Sequence, residues 1–416
     1  MMKKMVVRLL LLFFLLFVNS EAWGLVASND FFGLDFRFNN PGARSTAMGG
    51  AFIGLADDAT AAYANPAGLT ILTEPEISAE FKHGNYTNRV PQITGTDDFT
   101  DSNHSVSFLS LAHPTEKANI TVYRHHLVNI KTEFDIFEEI DHRDEIEVDL
   151  DVITLGLGVG FKVTEAFSMG FSIGFAQLEF YSQVDRFDLS GTDPQPSEFE
   201  YVNDEDSSEL YTLAFLWNLT GKLSIGAVWR YGPEFNTDKE RWNQFDADPG
   251  PGTEYEFALG WKLGNTLKIP DVYGLGISYR FLPNLTTALD INYVEYSDLL
   301  RNFRFEPGGL NDADDFEIDD TFEIHIGVEY VMNLGNVPFA VRGGYFFRPD
   351  HSVRFVGPVT SPDDQELKDR LDRKDDDEHI FSAGFGTVLF DILQVDVAGS
   401  YSEFITEGTL SVVYRF

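Results

Sequence analysis

The chain of 416 residues contains no cysteine. Disulfides and thiolate metal sites are excluded, so the fold is held by its core or its architecture alone. Beyond the first two dozen residues, no stretch offers about 18 consecutive apolar side chains, so no transmembrane helix is expected. Basic residues are few: 30 Lys and Arg face 67 Asp and Glu, a formal charge of −37. Nucleic acid is thereby disfavoured as a partner, because phosphate binding needs cationic patches. Patterns for chemistry are equally sparse. There is no H-x-x-x-H pair, and the neighbours His125 and His126 point to opposite faces of a strand, so they cannot chelate one ion together. The run "GLGVG", Gly156 to Gly160, lacks the phosphate-binding spacing and a following helix. The run "GFSIG", Gly170 to Gly174, matches the serine-hydrolase pattern, but that pattern needs a strand–turn–helix elbow. Ser172 sits instead in an alternating strand, and no histidine and acid are picked out beside it. The residues nominate no catalytic group, no metal ligand and no cofactor site.

What is present starts with "MMKKMVVRLLLLFFLLFVNSEAW". Lys3, Lys4 and Arg8 form a positive head, Leu9 to Val18 is an unbroken apolar run, and Ser20 and Ala22 make a small-x-small site. This predicts a cleaved secretory signal peptide over residues 1–22, its apolar run being too short to span a bilayer. Without Lys3, Lys4, Arg8 and Glu21, 27 basic and 66 acidic residues remain, leaving −39. A surface so acidic suits a soluble, halophile-like protein. Yet aromatics make up 14% of the chain, with 38 Phe, 16 Tyr and 35 Gly. That balance fits a membrane barrel better.

From residue 76 onward the chain alternates with period two. Phe322, Ile324, Ile326, Val328 and Tyr330 share one face of a segment, and Glu323, His325, Gly327 and Glu329 share the other. The same reading places Val341, Val395, Leu410 and Val412 opposite Arg342, Asp396 and Ser411. A soluble sandwich alternates too, with its apolar face inward. Here the runs are about ten residues long, and aromatics gather near their ends, as a tilted membrane strand and its interfacial girdle require. Charges such as Arg230, Arg280, Glu323, Arg342 and Asp396 are costly in a dry core and reasonable in a wet lumen. The expected fold is all-β: a 14-stranded antiparallel transmembrane β-barrel over residues 76–416. Its connections alternate short and long, which puts the short turns in the periplasm and the long loops outside. Residues 253–269 read as a further strand that breaks this parity, so they are placed in or over the extracellular rim. The long loops are acidic, as in "DADDFEIDD", Asp312 to Asp320. No run follows the spaced calcium-loop pattern, and a solvated loop is the plainer reading. Residues 363–378 read as a short exposed helix of mixed charge.

Residues 23–75 do not alternate. Within "LADDATAAYANPAGLTIL", Ala59 to Ala64 suits a short helix that Asp57 or Asp58 caps, and Asn65-Pro66 stops it. Irregular backbone of this kind cannot face lipid, and fourteen strands leave a lumen wide enough to hold it. The stretch "GARSTAMGGAFIGLADDATAAYANPAGL" resembles the N-terminal hatch of FadL/TodX-type outer-membrane transporters of long-chain fatty acids and aromatic hydrocarbons. The Gly49-Gly50-Ala51-Phe52 run and the Asn65-Pro66-Ala67 triplet carry the likeness. Ile269 to Asp298 resembles the family's mid-barrel hairpin, and the terminal Tyr414-Arg415-Phe416 suits an outer-membrane barrel. The resemblance implies a barrel in the cell outer membrane, stoppered by residues 23–75. Hydrophobic molecules would then enter passively from outside, pass a hatch rearrangement, and leave sideways near the third strand, here residues 117–128. It marks Gly49, Gly50, Asn65, Pro66, Ala67 and Gly68 as the gate. Phe31, Phe32, Phe36 and Phe52 are candidate apolar ligand contacts. Arg342, Arg348, Arg280 and Lys82 are candidates to pair a fatty-acid head group. The expected partners are a hydrophobic small molecule and outer-membrane lipid or lipopolysaccharide, with the protein a monomer and not an enzyme. Related barrels share the hatch motif loosely and serve protein secretion, so a scaffold role in export or surface attachment stands as the alternative.

Overall fold

The computed structural model describes residues 38–416 apart from 92–95, 140–141, 190–194, 245–256, 303–312, 336, 361–364, 366–367 and 370–376. The strands are β1 (Glu76–Pro91), β2 (Thr96–Pro114), β3 (Asn119–Glu139), β4 (His142–Lys162), β5 (Phe167–Asp188) and β6 (Gln195–Asn218). They continue with β7 (Leu223–Tyr231), β8 (Glu234–Gln244), β9 (Phe257–Lys268), β10 (Val272–Leu282), β11 (Leu285–Val294) and the dipeptide β12 (Phe316–Glu317). The last are β13 (Thr321–Leu334), β14 (Val337–Arg348), the dipeptide β15 (Arg354–Phe355), β16 (Glu378–Leu389), β17 (Leu393–Tyr401) and β18 (Ile405–Arg415).

Fourteen of these close into an antiparallel ring: each of β1–β6 pairs with the next, β6 pairs with β7, and β7 with β10. The circuit runs on through β11, β13, β14, β16, β17 and β18, and β18 pairs with β1 from Glu76↔Arg415 to Tyr86↔Ile405. Closure leaves no strand edge in the hydrocarbon, where an unpaired N–H or C=O would find no water. The strand that broke the parity is β9. It forms a hairpin with β8, and β8 pairs with Glu198–Val202 at the long-loop end of β6. The hairpin therefore extends the rim and does not cross the membrane, as the parity argument required. β2 to β6, of 19 to 24 residues, run past the 16 residues of β1 and the still shorter remaining strands, an extension that their alternation alone did not announce. The helix expected over 363–378 lies largely outside the described residues.

The rows of side chains face as the hydrophobic pattern predicts. Leu155, Phe175, Leu275 and Phe322 are 63%, 60%, 50% and 60% exposed on the outside of the ring. Inward residues of the same ring, such as Thr154, Ser172, Glu323 and Asp396, are buried. So much exposed apolar area is untenable in water and is what lipid requires. Tyr273, Tyr279, Trp217, Tyr330, Tyr401 and Tyr414 stand on the same outer face, where amphipathic rings suit the headgroup level. Ile277 lies mid-strand on this face of β10. Ile277→Arg is expected to destabilise the barrel by about 2–4 kcal/mol, read as a lower urea midpoint for unfolding from lipid vesicles.

Candidate functional site

Residues 40–72 fill the ring, and their path follows from local chemistry. Helix α1 (Ala43–Ala47) ends where Gly49 and Gly50 take φ of 66° and 81°, values that L side chains disfavour. Helix α2 (Ala61–Ala64) follows a turn in which the Asp58 carboxylate accepts from the Thr60 amide at 2.9 Å. Burial pushes the Asp58 carboxyl up from its usual range, against the pull of Arg44. Asn65 is extended, as the residue before a proline should be. Pro66 then opens a 3₁₀ helix, Pro66–Ile71, and Asn65 Oδ1 caps it by accepting from the Ala67 amide at 3.1 Å. The sequence foresaw the break but not the second helical turn beyond it.

The hatch backbone is satisfied by polar side chains from the wall, which stand in for water. Asp290 Oδ2 accepts from the amides of Phe52 and Ile53 at 2.6 and 2.7 Å. Ser278 donates to the Gly54 carbonyl at 2.8 Å, and Asn119 Nδ2 donates to the carbonyls of Leu69 and Leu72 at 2.6 and 2.8 Å. Ser382 Oγ accepts from the Gly49 amide at 3.0 Å, while His325 Nδ1 lies 2.8 Å from the Gly49 carbonyl. Asn65 Nδ2 donates inside the hatch to Ile53 at 2.8 Å and across to the Phe215 carbonyl of β6 at 3.2 Å. Each such bond contributes about 1 kcal/mol net, but a buried group left without one costs more. Close approach makes this stitching possible. A Cβ on Gly170 of β5 would stand 2.1 Å from the Ala67 nitrogen, and one on Gly49 would stand 2.7 Å from the Tyr345 backbone.

A chain of charges ties α1 to the short-turn half of the wall. Arg44 is bidentate on Glu329, with Nε and Nη2 at 2.8 and 3.0 Å, and also pairs with Asp57. Glu329 and Asp396 share Arg342, each at 2.7 Å. Gln394 bridges Asp396 to Arg415, and Arg415 pairs with Glu76 at 2.6 Å. Above the hatch the interior changes character. Val148, Leu150, Val152, Leu178, Phe180 and Leu210 point inward, are buried, and join one apolar cluster with Tyr63 and Leu69 of the hatch. These side chains belong largely to the raised parts of β3–β6, where the outer face is polar and acidic.

The wall is not uniformly laddered. β2 and β3 pair only from Phe108↔His125 to Pro114↔Asn119. At that level the β1–β2 register shifts beyond Glu80, and the β3–β4 register shifts between His126 and Val128. Higher up the two strands are joined by side chains: Asn103 Nδ2 donates to the Asn129 carbonyl at 3.2 Å, and Thr132 bonds Asp101. A cavity of about 120 Å³ opens here, lined by Lys82, Asp101, His104, His125, His126 and Glu407 among others.

Of the residues nominated from sequence, Gly49, Gly50, Asn65, Pro66, Ala67 and Gly68 all sit at hatch–wall or hatch–hatch contacts. Phe52 is fully buried in the hatch cluster, with the Arg44 guanidinium 5.8 Å from its ring. Phe31, Phe32 and Phe36 lie outside the described residues. Three of the candidate head-group cations already hold carboxylates: Arg342 as above, Arg348 with Glu378, and Lys82 with Glu407 at 3.5 Å. Arg280 is exposed near the short turn after β10. Ser172 faces the lumen from the middle of β5 and its hydroxyl has no hydrogen-bond partner. His125 packs on Tyr63 at 4.2 Å between ring centres, while His126 lies 2.8 Å from Asp151, so the two histidines do serve different surroundings. What sequence reading missed is the wall half of the site, since Asp290, Asn119, Ser278 and Ser382 are ordinary inward residues of alternating strands.

A closed ring with an apolar outer belt and a stitched internal stopper defines a plugged membrane β-barrel. A family model described as outer membrane protein transport protein (OMPP1/FadL/TodX) matches residues 36–410, and the chain belongs to that family. The fold resembles a Pseudomonas aeruginosa FadL homologue at a TM-score of 0.63 and 14% identity, covering 91% of this chain and 98% of the other. It resembles the Ralstonia pickettii toluene transporter TbuX at 0.59 and 13%, covering 91% and 99%. The Pseudomonas putida toluene transporter TodX gives 0.57 and 13%, with the same coverage. No curated protein matches the sequence.

Two substitutions probe the stitching. Gly170→Val is expected to leave the ring closed and push the hatch off β5, making cells sensitive to a bulky antibiotic that the outer membrane excludes. Asp290→Ala orphans two buried amides at about 1–3 kcal/mol each. Hydrogen exchange at Phe52 and Ile53 should then speed up by at least about tenfold, with exchange in the strands unchanged.

Proposed function

We propose that the protein carries hydrophobic small molecules, long-chain fatty acids or aromatic hydrocarbons, passively through the outer membrane. The observation that carries this reading is the column of inward apolar side chains standing on the hatch. Water-facing strands have no need of an apolar lining, whereas an apolar solute gains roughly 25 cal/mol for each Å² it buries there. Molecules would enter at the long-loop end, rest against Val152, Leu178 and Leu210, and move on when the hatch shifts about Asn65–Gly68. The unpaired stretch between β2 and β3 supports a sideways exit, because parting side-chain bridges costs less than breaking a laddered seam. The similar structures are named as a FadL homologue and toluene transporters, which agrees with this class of solute. A scaffold role in protein export finds no comparable support. One chain closes its own ring, so the reading needs no oligomer, only surrounding lipid and lipopolysaccharide.

The absence of native cysteine gives a clean test. A Cβ on Gly158 would stand 3.3 Å from the Ala62 Cβ, close to disulfide spacing. The Ala62→Cys, Gly158→Cys double variant is expected to block uptake of a radiolabelled hydrocarbon or fatty acid when oxidised and to recover it on reduction. Undiminished uptake through the oxidised, correctly inserted barrel would count against a moving hatch.

A further inference from the structure

One cation stands on the lipid side of the ring. Arg124 of β3 lies across from Leu109 of β2 and Leu155 of β4, and residues paired across a sheet share a face. Leu109 and Leu155 are 40% and 63% exposed on the outside, so Arg124 emerges there too. Among the described residues it is the one Lys or Arg on this face of the apolar belt. A guanidinium among lipid tails is costly unless it reaches the headgroup level or meets an anion. Among the described residues no carboxylate pairs with it. Its Nη1 donates to the Val106 carbonyl of β2, which the missing β2–β3 ladder leaves open, and its other donors are unspent.

The next side chain up on this face of β3 is His126. Its side chain is 6% exposed, and its Nε2 is held 2.8 Å from Asp151, which also accepts from Asn129 Nδ2 at 2.7 Å. The ring is thereby fixed, and its buried Nδ1 has no partner. Buried polar atoms are normally satisfied, so this one calls for an explanation. His126 borders the cavity in the β2–β3 gap, and so do His104 of β2 and Lys131. His104 is exposed and lies across from His83 of β1. Lys82, His125 and Glu407 line the same cavity from within, so the gap is bordered from both faces of the wall. Lys82 and Lys131 are spent on Glu407 and Asp149, whereas Arg124, His126 Nδ1 and His104 are not spent on any acid.

We propose that Arg124, His126 and His104 bind a phosphate group of the lipid A in outer-leaflet lipopolysaccharide, whose head then covers the outer mouth of the β2–β3 gap. The polarity of the wall admits an anion at one height. Beneath the three residues, Val122, Leu109 and Leu111 are 58%, 40% and 50% exposed and suit acyl chains. Above them the outer face carries Glu147, Asp149 and Glu179, which repel a phosphate placed any higher. A lipid phosphate sits between tails and solvent, at the height of the cations. Guanidinium and phosphate match in charge and in the spacing of donors and acceptors. A phosphate monoester is partly protonated near neutral pH, so it can meet His126 Nδ1 as donor or as acceptor. Arg124 keeps one edge on the Val106 carbonyl and gives the other to the phosphate, linking the open strand edge to the lipid. The proposal rests on the placement of the ring in the outer membrane and is independent of what the lumen carries.

Purified protein in a neutral maltoside detergent is titrated with lipid A, with lipid A stripped of its phosphates, and with inorganic phosphate as competitor. EDTA is present throughout, to remove divalent bridges to the acidic face, and bound lipid is counted by native mass spectrometry. Wild type is expected to hold one lipid A about tenfold more tightly than the stripped form. Arg124→Leu should bring that ratio close to one. Because Arg124 also holds the Val106 carbonyl, the exposed His104→Ala serves as the second variant and should lower the ratio about threefold. Lipid A, but not its stripped form, should slow amide exchange over residues 104–107 and 124–129. Equal affinity for the two lipids overturns the phosphate site. A ratio unchanged by either substitution overturns its assignment to these residues. Inorganic phosphate displacing lipid A at equal concentration would show an anion site indifferent to tails and overturn the lipid. Preference for lipid A with unchanged exchange would overturn the cover over the gap.

Discussion

Inside a hydrocarbon layer there is no water to take up a stray N–H or C=O, so a chain that crosses as strands must return to its own first strand. The pairing of β18 with β1 meets that demand, and nearly everything else follows from it. Closure of fourteen strands makes a hollow too wide for side chains to fill. The hollow must then hold water, or protein whose backbone is itself satisfied. In this molecule the second answer is taken, and the groups that supply the satisfaction are the inward residues of the ring.

The hatch is therefore a small-residue insert fitted to a small-residue wall. Where Gly170 meets Ala67 there is no room for even a methyl group, and the two backbones lie close enough for Asp290, Asn119 and Ser278 to reach the hatch main chain. A stopper held by many modest bonds differs from one held by an apolar core. Individual bonds are worth about 1 kcal/mol, so local parts can move while the rest stay fixed. The charges are unevenly shared. Arg44, Glu329, Arg342 and Asp396 secure the α1 side, whereas the α2 side is held by single neutral bonds and by Arg230. The α2 side is also where the apolar column ends.

The raised strands β3–β6 explain a tension in the composition. A chain so acidic ought to repel apolar matter from its outer end, yet the acids stand on the outer face of these strands and aliphatic side chains stand on the inner one. The period-two rule serves both: the same alternation that sets lipid outside and polar groups inside at membrane level runs reversed in polarity above it. Sequence reading placed these segments in long acidic loops because their outward residues dominate the count.

The order of residues alone determined the strand number, the sense of the pleat, the rim position of the segment that became β9, and the break at Asn65-Pro66. Each depends on near neighbours: alternation along a strand, loop length, or the backbone limit that proline imposes. Which inward residue meets which part of the hatch was not legible, because Asp290 lies 238 positions from Phe52 and only the shear of the closed ring brings them together. The same holds for Arg230, which in the sequence is one basic residue among several and in the barrel is buried against the Tyr63 carbonyl, with no carboxylate partner among the described residues. Pairing across a closed sheet is a property of the whole circuit, so the site could be assigned only once the circuit was known.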